Sequence, residues 1–166
     1  GNYTYNAQAQ TPVQWDSKTV LGAVFADWVL GTDYTFTHNN SNSTGFTNAG
    51  TYNSVSVTIL RSGYNNASAS NTTGSLTIDK AALTVRANDD ARFFTQSENT
   101  SYAGLSYSGF KGSDTVLALT GTPTITRSDS DSDRNNDSTG SYTMTPSGLS
   151  SVNYDFSYQN GSYHIV

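Results

Sequence analysis

The residues of this 166-residue chain that can do more than pack are two histidines, a cluster of aspartates and two tryptophans. His38 lies in the Asn-rich stretch "THNNSNSTG", and His164 in the closing segment "GSYHIV". General acid–base or triad chemistry needs a histidine held by a carboxylate and facing a nucleophile, and no spacing here brings the three types together. His38 is therefore expected as an exposed loop residue and His164 as an outward-facing strand residue. The absence of cysteine removes thiolate metal sites, cysteine nucleophiles and a disulfide framework. A polysaccharide-acting enzyme would need two carboxylates flanking a groove, and no such pair stands out. The chain reads as non-catalytic.

Asp129, Asp131, Asp133 and Asp137 in "SDSDSDRNNDSTG" are hard oxygen ligands in alternation, which is how a calcium loop opens. The likeness breaks at Arg134, where such a loop turns on glycine, and at Gly140, where it closes on a bidentate glutamate. Two readings stand: a calcium site, and a solvated acidic loop that keeps strand edges from pairing with neighbours. The second is the expected one, and no other cofactor is implied. Trp15 and Trp28, with Tyr3, Tyr5 or Tyr34, would offer a flat platform to a sugar ring. Large aromatics in a small domain are first of all its core, so core placement leads. Glycan contact through Trp15, Trp28 and Tyr34 is the alternative. Asn42, Asn66, Asn71, Asn99 and Asn136 begin Asn-x-Ser/Thr triplets, which this composition produces by chance. Lys18, Lys80 and Lys111 show no partner pattern for a side-chain crosslink.

The elements that must position these groups are strands. Charged residues make up only 13% of the chain, so its polarity rests on Ser, Thr, Asn and Gly, which disfavour helix. Eleven Tyr, seven Phe and two Trp argue for a folded core over disorder. In "TYNSVSVTIL", Val55, Val57 and Ile59 alternate with Ser54, Ser56 and Thr58, as in a half-buried strand. Shorter alternations mark Tyr34 to Phe36, Leu76 to Ile78, Leu83 to Val85, Leu105 to Tyr107, Val116 to Leu119, Tyr142 to Met144, Tyr154 to Tyr158 and Tyr163 to Ile165. Loops rich in turn formers separate them, and only "SKTVLGAVFADWVLG" offers a weak helix. The expected class is all-β, with sandwich-like or grasp-like sheets.

Two halves superimpose along the chain. "NAGTY" corresponds to "STGSY", Gly63-Tyr64 to Asn153-Tyr154, and "GSLTI" to "GSYHI". The interval from Gly50 to Tyr64 equals that from Gly140 to Tyr154. Between Ile78 and Leu83 no Gly, Pro or Asn turns the chain, which marks a joint between units instead of a hairpin. The expectation is two tandem units, residues 1–79 and 80–166, forming an elongated, semi-rigid rod because so short a link leaves little slack. Units of this size bury only about 60% of their unfolded surface, so contact across the joint is expected to add stability.

A net charge of −5 with eight Lys plus Arg supplies no basic patch for nucleic acid or an anionic membrane surface. No apolar run reaches the ~20 residues that span a bilayer, and "GNYTYNAQAQ" lacks a signal-peptide core. The chain is expected to be a monomeric fragment of something longer.

The second half, with "KAALTV", "GFKGSDT", "GSY", "NYDFSYQNG" and "YHI", resembles an MBG domain. Phe94-Thr95 stand where the YGX type of that family has an aromatic followed by glycine. The first half, with "GTDYT", "AGTY", "GYNN" and "GSLTI", is similar to MBG-type or bacterial Ig-like repeats. The resemblance implies tandem modules of large, filamentous-haemagglutinin-like exoproteins, secreted or on the bacterial surface. It implies a stalk or contact surface in cell adhesion or biofilm, with neighbouring repeats and a host or matrix glycan or protein as partners. It carries no catalytic motif. A carbohydrate-binding module working through the first-half aromatics is the alternative.

Overall fold

The computed structural model describes residues 2–11, 27–64, 73–97, 102–129 and 138–166. The chain forms two compact units, Gly1–Lys80 and Ala81–Val166. Among the described residues all regular structure is strand, apart from one 3-10 turn. The "SKTVLGAVFADWVLG" stretch lies mostly outside them.

Unit 1 is a five-stranded sheet of β1 (Asn2–Thr4), β2 (Tyr34–His38), β3 (Ser41–Ser43), β4 (Gly50–Ile59) and β5 (Thr73–Asp79), in the order β1-β5-β4-β2-β3. Alternation decides which side chains go inward. Val55 and Val57 of β4, Phe36 of β2, and Leu76 and Ile78 of β5 are all buried. Between β2 and β3, Asn39 and Asn40 both take positive φ, at 49° and 61°. That is the demand of the tightest hairpin turn, and asparagine meets it at low cost. β4 changes register between Tyr52 and Val55, with Ser54 at φ 54° absorbing the bulge.

Unit 2 has two sheets. One, in the order β7-β12-β10-β9, comprises β7 (Asp90–Arg92), β9 (Thr120–Arg127), β10 (Gly140–Ser150) and β12 (Gly161–Ile165). The other, β11-β6-β8, comprises β6 (Ala81–Ala87), β8 (Leu105–Ser108) and β11 (Tyr154–Gln159). β6 passes into β7 across Asn88-Asp89, and β11 into β12 across Asn160, so two long parallel paths change sheets side by side. The crossing is clasped: Asp89 Oδ1 accepts the Ser162 N–H at 2.8 Å, and Oδ2 accepts from Arg86 at 2.9 Å. Gly161 sits so close to the Ala87 carbonyl that a Cβ there would collide with it. Ala87, Tyr102, Met144, Tyr163 and Ile165 form the core at this level, joined by Leu105, Ile125 and Tyr142.

The two units share a local design. Gly50 pairs with Ile78 and Tyr52 with Leu76, just as Gly140 pairs with Ile165 and Tyr142 with Tyr163. In each, the tyrosine hydroxyl turns back to donate to the carbonyl four residues earlier: Tyr52 to Asn48 at 2.8 Å, Tyr142 to Ser138 at 2.6 Å. In each, a first short strand lies parallel to the last strand, β1 on β5 and β7 on β12. In unit 2 the chain comes in beside Tyr154, at the inlet pole, and leaves beside Arg92 at the opposite end, the outlet pole, whereas in unit 1 β1 begins beside Thr77, close to where β5 leaves.

One expected strand is a turn. Val116–Ala118 is a 3-10 turn, with Thr115 Oγ1 accepting from the Leu117 N–H at 3.3 Å. Consecutive apolar residues without alternating polar ones gave no true two-residue period there. The turn is anchored from within by Tyr154, whose hydroxyl accepts the Lys111 N–H at 2.8 Å and donates to Asp114 at 2.7 Å. Burial raises the Tyr154 phenol; the bond from Lys111 opposes this and Asp114 adds to it.

Candidate functional site

His38 ends β2 and is half-buried, so it is not the exposed loop residue expected. Its ring packs edge-on to Phe46 and Tyr52, 6.0 and 5.5 Å away. Nδ1–H donates to the Asn53 carbonyl at 2.8 Å, which leaves Nε2 to accept from Asn39 at 3.1 Å. Both nitrogens are engaged in holding the β2–β3 hairpin against β4. His164 faces outward on β12, with Ser141 Oγ 2.9 Å from its Nδ1. This Ser–His pair sits on an open sheet face. The nearby Asp89 commits its oxygens to Ser162 and Arg86, and for those reasons its carboxyl is held below the usual 3.8: first by the Ser162 N–H, then by Arg86 and the field of His164, with desolvation opposing.

Trp28 and Tyr34, the glycan candidates, are buried. Trp28 meets Tyr64 edge-on at 4.8 Å and lies under the Arg61 guanidinium at 5.2 Å. Tyr34 meets Phe36 edge-on at 6.2 Å. Their rings serve the unit 1 core and present no open platform. Trp15 lies outside the described residues, as do Asp131, Asp133 and Asp137. Asp129 is bound to Arg127: Nε and Nη2 donate to its two oxygens at 2.7 and 2.6 Å. Among the described residues no group of three His, Asp or Glu side chains could hold a metal ion.

Arg127 was not legible as a core residue. Its side chain is fully buried between the rings of Tyr142 and Tyr163, each 5.0 Å from the guanidinium carbon. Arg92 is the second buried arginine; its Nη1 donates to the carbonyls of Phe93, Phe94 and Gln96 at 3.4, 3.3 and 2.9 Å. The Phe93 N–H donates to Gln96 Oε1 and the Gln96 N–H to the Phe93 carbonyl, each at 2.9 Å. This turn carries Phe94-Thr95 without positive φ, so it needs no glycine.

The flank of the β7-β12-β10-β9 sheet is a field of hydroxyls. Thr126 pairs with Thr145, Thr124 with Ser147, and Thr143 with Ser162, all on the outer face. Thr124 and Ser147 are hydrogen-bonded to each other at 2.9 Å, as are Thr120 and Ser150 at 2.7 Å. Large exposed apolar side chains gather instead at the poles. At the inlet pole of unit 2 are Val116, Leu117 and Val152, and at its outlet pole Phe93, Phe94 and Val166. Val29, Leu60 and Tyr64 are exposed at the end of unit 1 remote from Asp79. The signal available in the sequence was the absence of an alternating partner around Phe93-Phe94 and Val116-Leu117.

These features define an all-β module with no assembled catalytic or metal centre among the described residues. The family model of the MBG domain (YGX type) matches residues 83–164, essentially the whole of unit 2. Comparison with curated proteins finds no match, and comparison with solved structures finds none.

Proposed function

We propose that the chain is a non-catalytic, load-bearing spacer from a large bacterial adhesin, secreted or displayed on the cell surface. The match of unit 2 to the MBG domain supports this class. The shared register and tyrosine motif of β4–β5 and β10–β12 support reading unit 1 as a divergent module of the same kind. The spacer would act in adhesion or biofilm, with neighbouring modules as its immediate partners and any host or matrix receptor contacted by its flanks or by other parts of the parent.

The observation that carries the proposal is the parallel pairing, in unit 2, of the opening path β6–β7 with the closing path β11–β12. A pull on the two chain ends of unit 2 loads the β6–β11 and β7–β12 hydrogen bonds in shear, so they resist together instead of peeling one at a time. At about 3.3 Å per residue, the path from Ala81 to Arg92 contributes a step of up to about 40 Å. Between Asp79, which ends β5, and Ala81, which begins β6, only Lys80 is left to slacken.

Single-molecule pulling tests this. Unit 2 pulled through its chain ends should rupture in one step, at a higher force than when it is pulled through cysteines placed at Thr126 and Thr145, a cross-strand pair that unzips. An end-to-end force no greater than the unzipping force would overturn the load-bearing role. Antibody labelling of intact source cells tests the surface location, and signal only after lysis would refute it.

A further inference from the structure

We infer that unit 1 carries a binding site for a neutral saccharide, in the hollow between Gly31, Asn42, Thr44 and Leu60. The site belongs to unit 1 by itself and does not rest on the spacer reading.

The hollow is the first support. It encloses about 480 Å³, within the range of small-molecule sites, and is lined by Gly31, Thr35, Asn42, Ser43, Thr44 and Leu60. Its walls come from the segment before β2, from β3 and from the end of β4. They are tied together where the Asp33 carbonyl accepts the Leu60 N–H at 2.9 Å and the Gly31 N–H donates to the Tyr34 carbonyl at 2.7 Å. Gly31 keeps the space clear. Its φ of 87° favours glycine, and a Cβ there would come 3.1 Å from Thr44 Cγ2.

The division of its polar groups is the second support. Thr35 is buried and donates to the Ser43 carbonyl at 2.7 Å. The Ser43 hydroxyl donates to the Gly45 carbonyl and accepts the Gly45 N–H at 3.1 Å. These inner groups are committed to the walls and hold them still. The exposed rim is the reverse. Asn42 Oδ1 accepts from Thr37 at 3.1 Å, which fixes the amide, while its Nδ2 and the Thr44 hydroxyl have no hydrogen bond among the described residues.

The lining names the ligand. It contains no charged side chain, and in the adjoining turns Asp33 and Arg61 face each other at 3.7 Å. A charged ligand would give up hydration there without a countercharge, and a wholly apolar one would cover the rim donors unpaired. A neutral sugar suits both surfaces: its hydroxyls accept from Asn42 Nδ2 and exchange bonds with Thr44, and its C–H face lies on the exposed Leu60. Walls set in advance lose little entropy on binding. With so few contacts, a single sugar is held at about millimolar strength.

Nuclear magnetic resonance titration of the whole labelled chain tests this, with the methyl glycosides of glucose, galactose, mannose, fucose and N-acetylglucosamine as probes and sialic acid as the charged control. At least one neutral glycoside should move the Asn42 side-chain amide and the Thr44 and Leu60 N–H signals with a Kd of about 1 mM, and leave β10 unmoved. Asn42→Ala, and Thr44→Val, which keeps the shape and loses the hydroxyl, should each weaken binding about three- to tenfold. Thr145→Val in unit 2 should change nothing. Tryptophan emission, which comes from unit 1, checks that both rim variants stay folded. No shift with any glycoside up to ~20 mM would overturn the inference, as would binding that both rim variants leave unchanged. Equal binding of sialic acid would overturn the neutral class, and tighter binding of the peptide Gly-Ser-Gly would overturn the sugar. The pulling experiment concerns unit 2, so failure here leaves the spacer reading standing.

Discussion

Replacing Asp129 with alanine should cost unit 2 far more than an exposed ion pair is worth. The Arg127 side chain is wholly buried, and Asp129, 17% exposed, meets it through two short bonds of 2.7 and 2.6 Å. Removing one partner of a buried pair costs about 3–5 kcal/mol, because the charge that remains is still out of water. The rings of Tyr142 and Tyr163 flank the guanidinium in both proteins, so their attraction largely cancels in the comparison. Water at the partly open Asp129 side places the expected loss near the lower end, about 3 kcal/mol. For a domain of this size each kcal/mol moves the melting temperature by about 4–8 °C, so unit 2 should melt about 12–24 °C lower. Both tryptophans lie in unit 1, at Trp15 and Trp28, so tryptophan emission follows that unit while tyrosine near-UV dichroism and calorimetry register unit 2. Asp129→Asn keeps one acceptor oxygen and should fall between alanine and wild type. A cost below about 1 kcal/mol for Asp129→Ala, the range of surface pairs, would refute the reasoning.

Two further outcomes test the remaining joints of unit 2. The depressed Asp89 carboxyl gives a stabilising contribution that is fully present above its ordinary value of 3.8 and is lost as pH falls through the lowered one. Urea melts from about pH 2 to pH 7 should therefore show wild type and Asp89→Asn differing near neutrality and converging in acid; a gap that persists in acid would contradict this. Gly148 has φ 91° and faces the Thr122 carbonyl so closely that a Cβ would overlap it. Gly148→Ala should cost at least about 2 kcal/mol in chemical denaturation, against a few tenths for Ser147→Ala on the same strand.

What could be read from the sequence followed from period and turn chemistry. Val55 and Val57 alternate with polar neighbours and are buried, and "KAALTVRA" gives a strand with every second residue inside, whereas the stretch around Asn39-Asn40, expected as a loop, is the turn of the β2–β3 hairpin. The lost information is of three physical kinds. β1, β3 and β7 are three-residue strands, too short to show any period. The parallel partnership of β7 and β12 joins segments far apart in the chain, and no local pattern encodes who pairs with whom. The burial of Arg92 and Arg127 depends on carbonyls, a carboxylate and two rings that only the fold assembles. The same holds for the candidate sites: composition pointed to aromatics, but Trp28 and Tyr34 went to the core while Phe93 and Phe94 were turned outward by a buried arginine.

The placement of the two ends of unit 2 at opposite poles has a genetic consequence. A unit whose ends emerge at opposite poles can be copied or deleted by unequal recombination without rerouting the chain on either side. Each such event leaves the same kind of seam that Asp79, Lys80 and Ala81 form in this chain. Under the proposed spacer role, the reach of a parent protein would then be a heritable count of modules, adjustable in whole steps, and selection on length would not wait for any new contact to evolve.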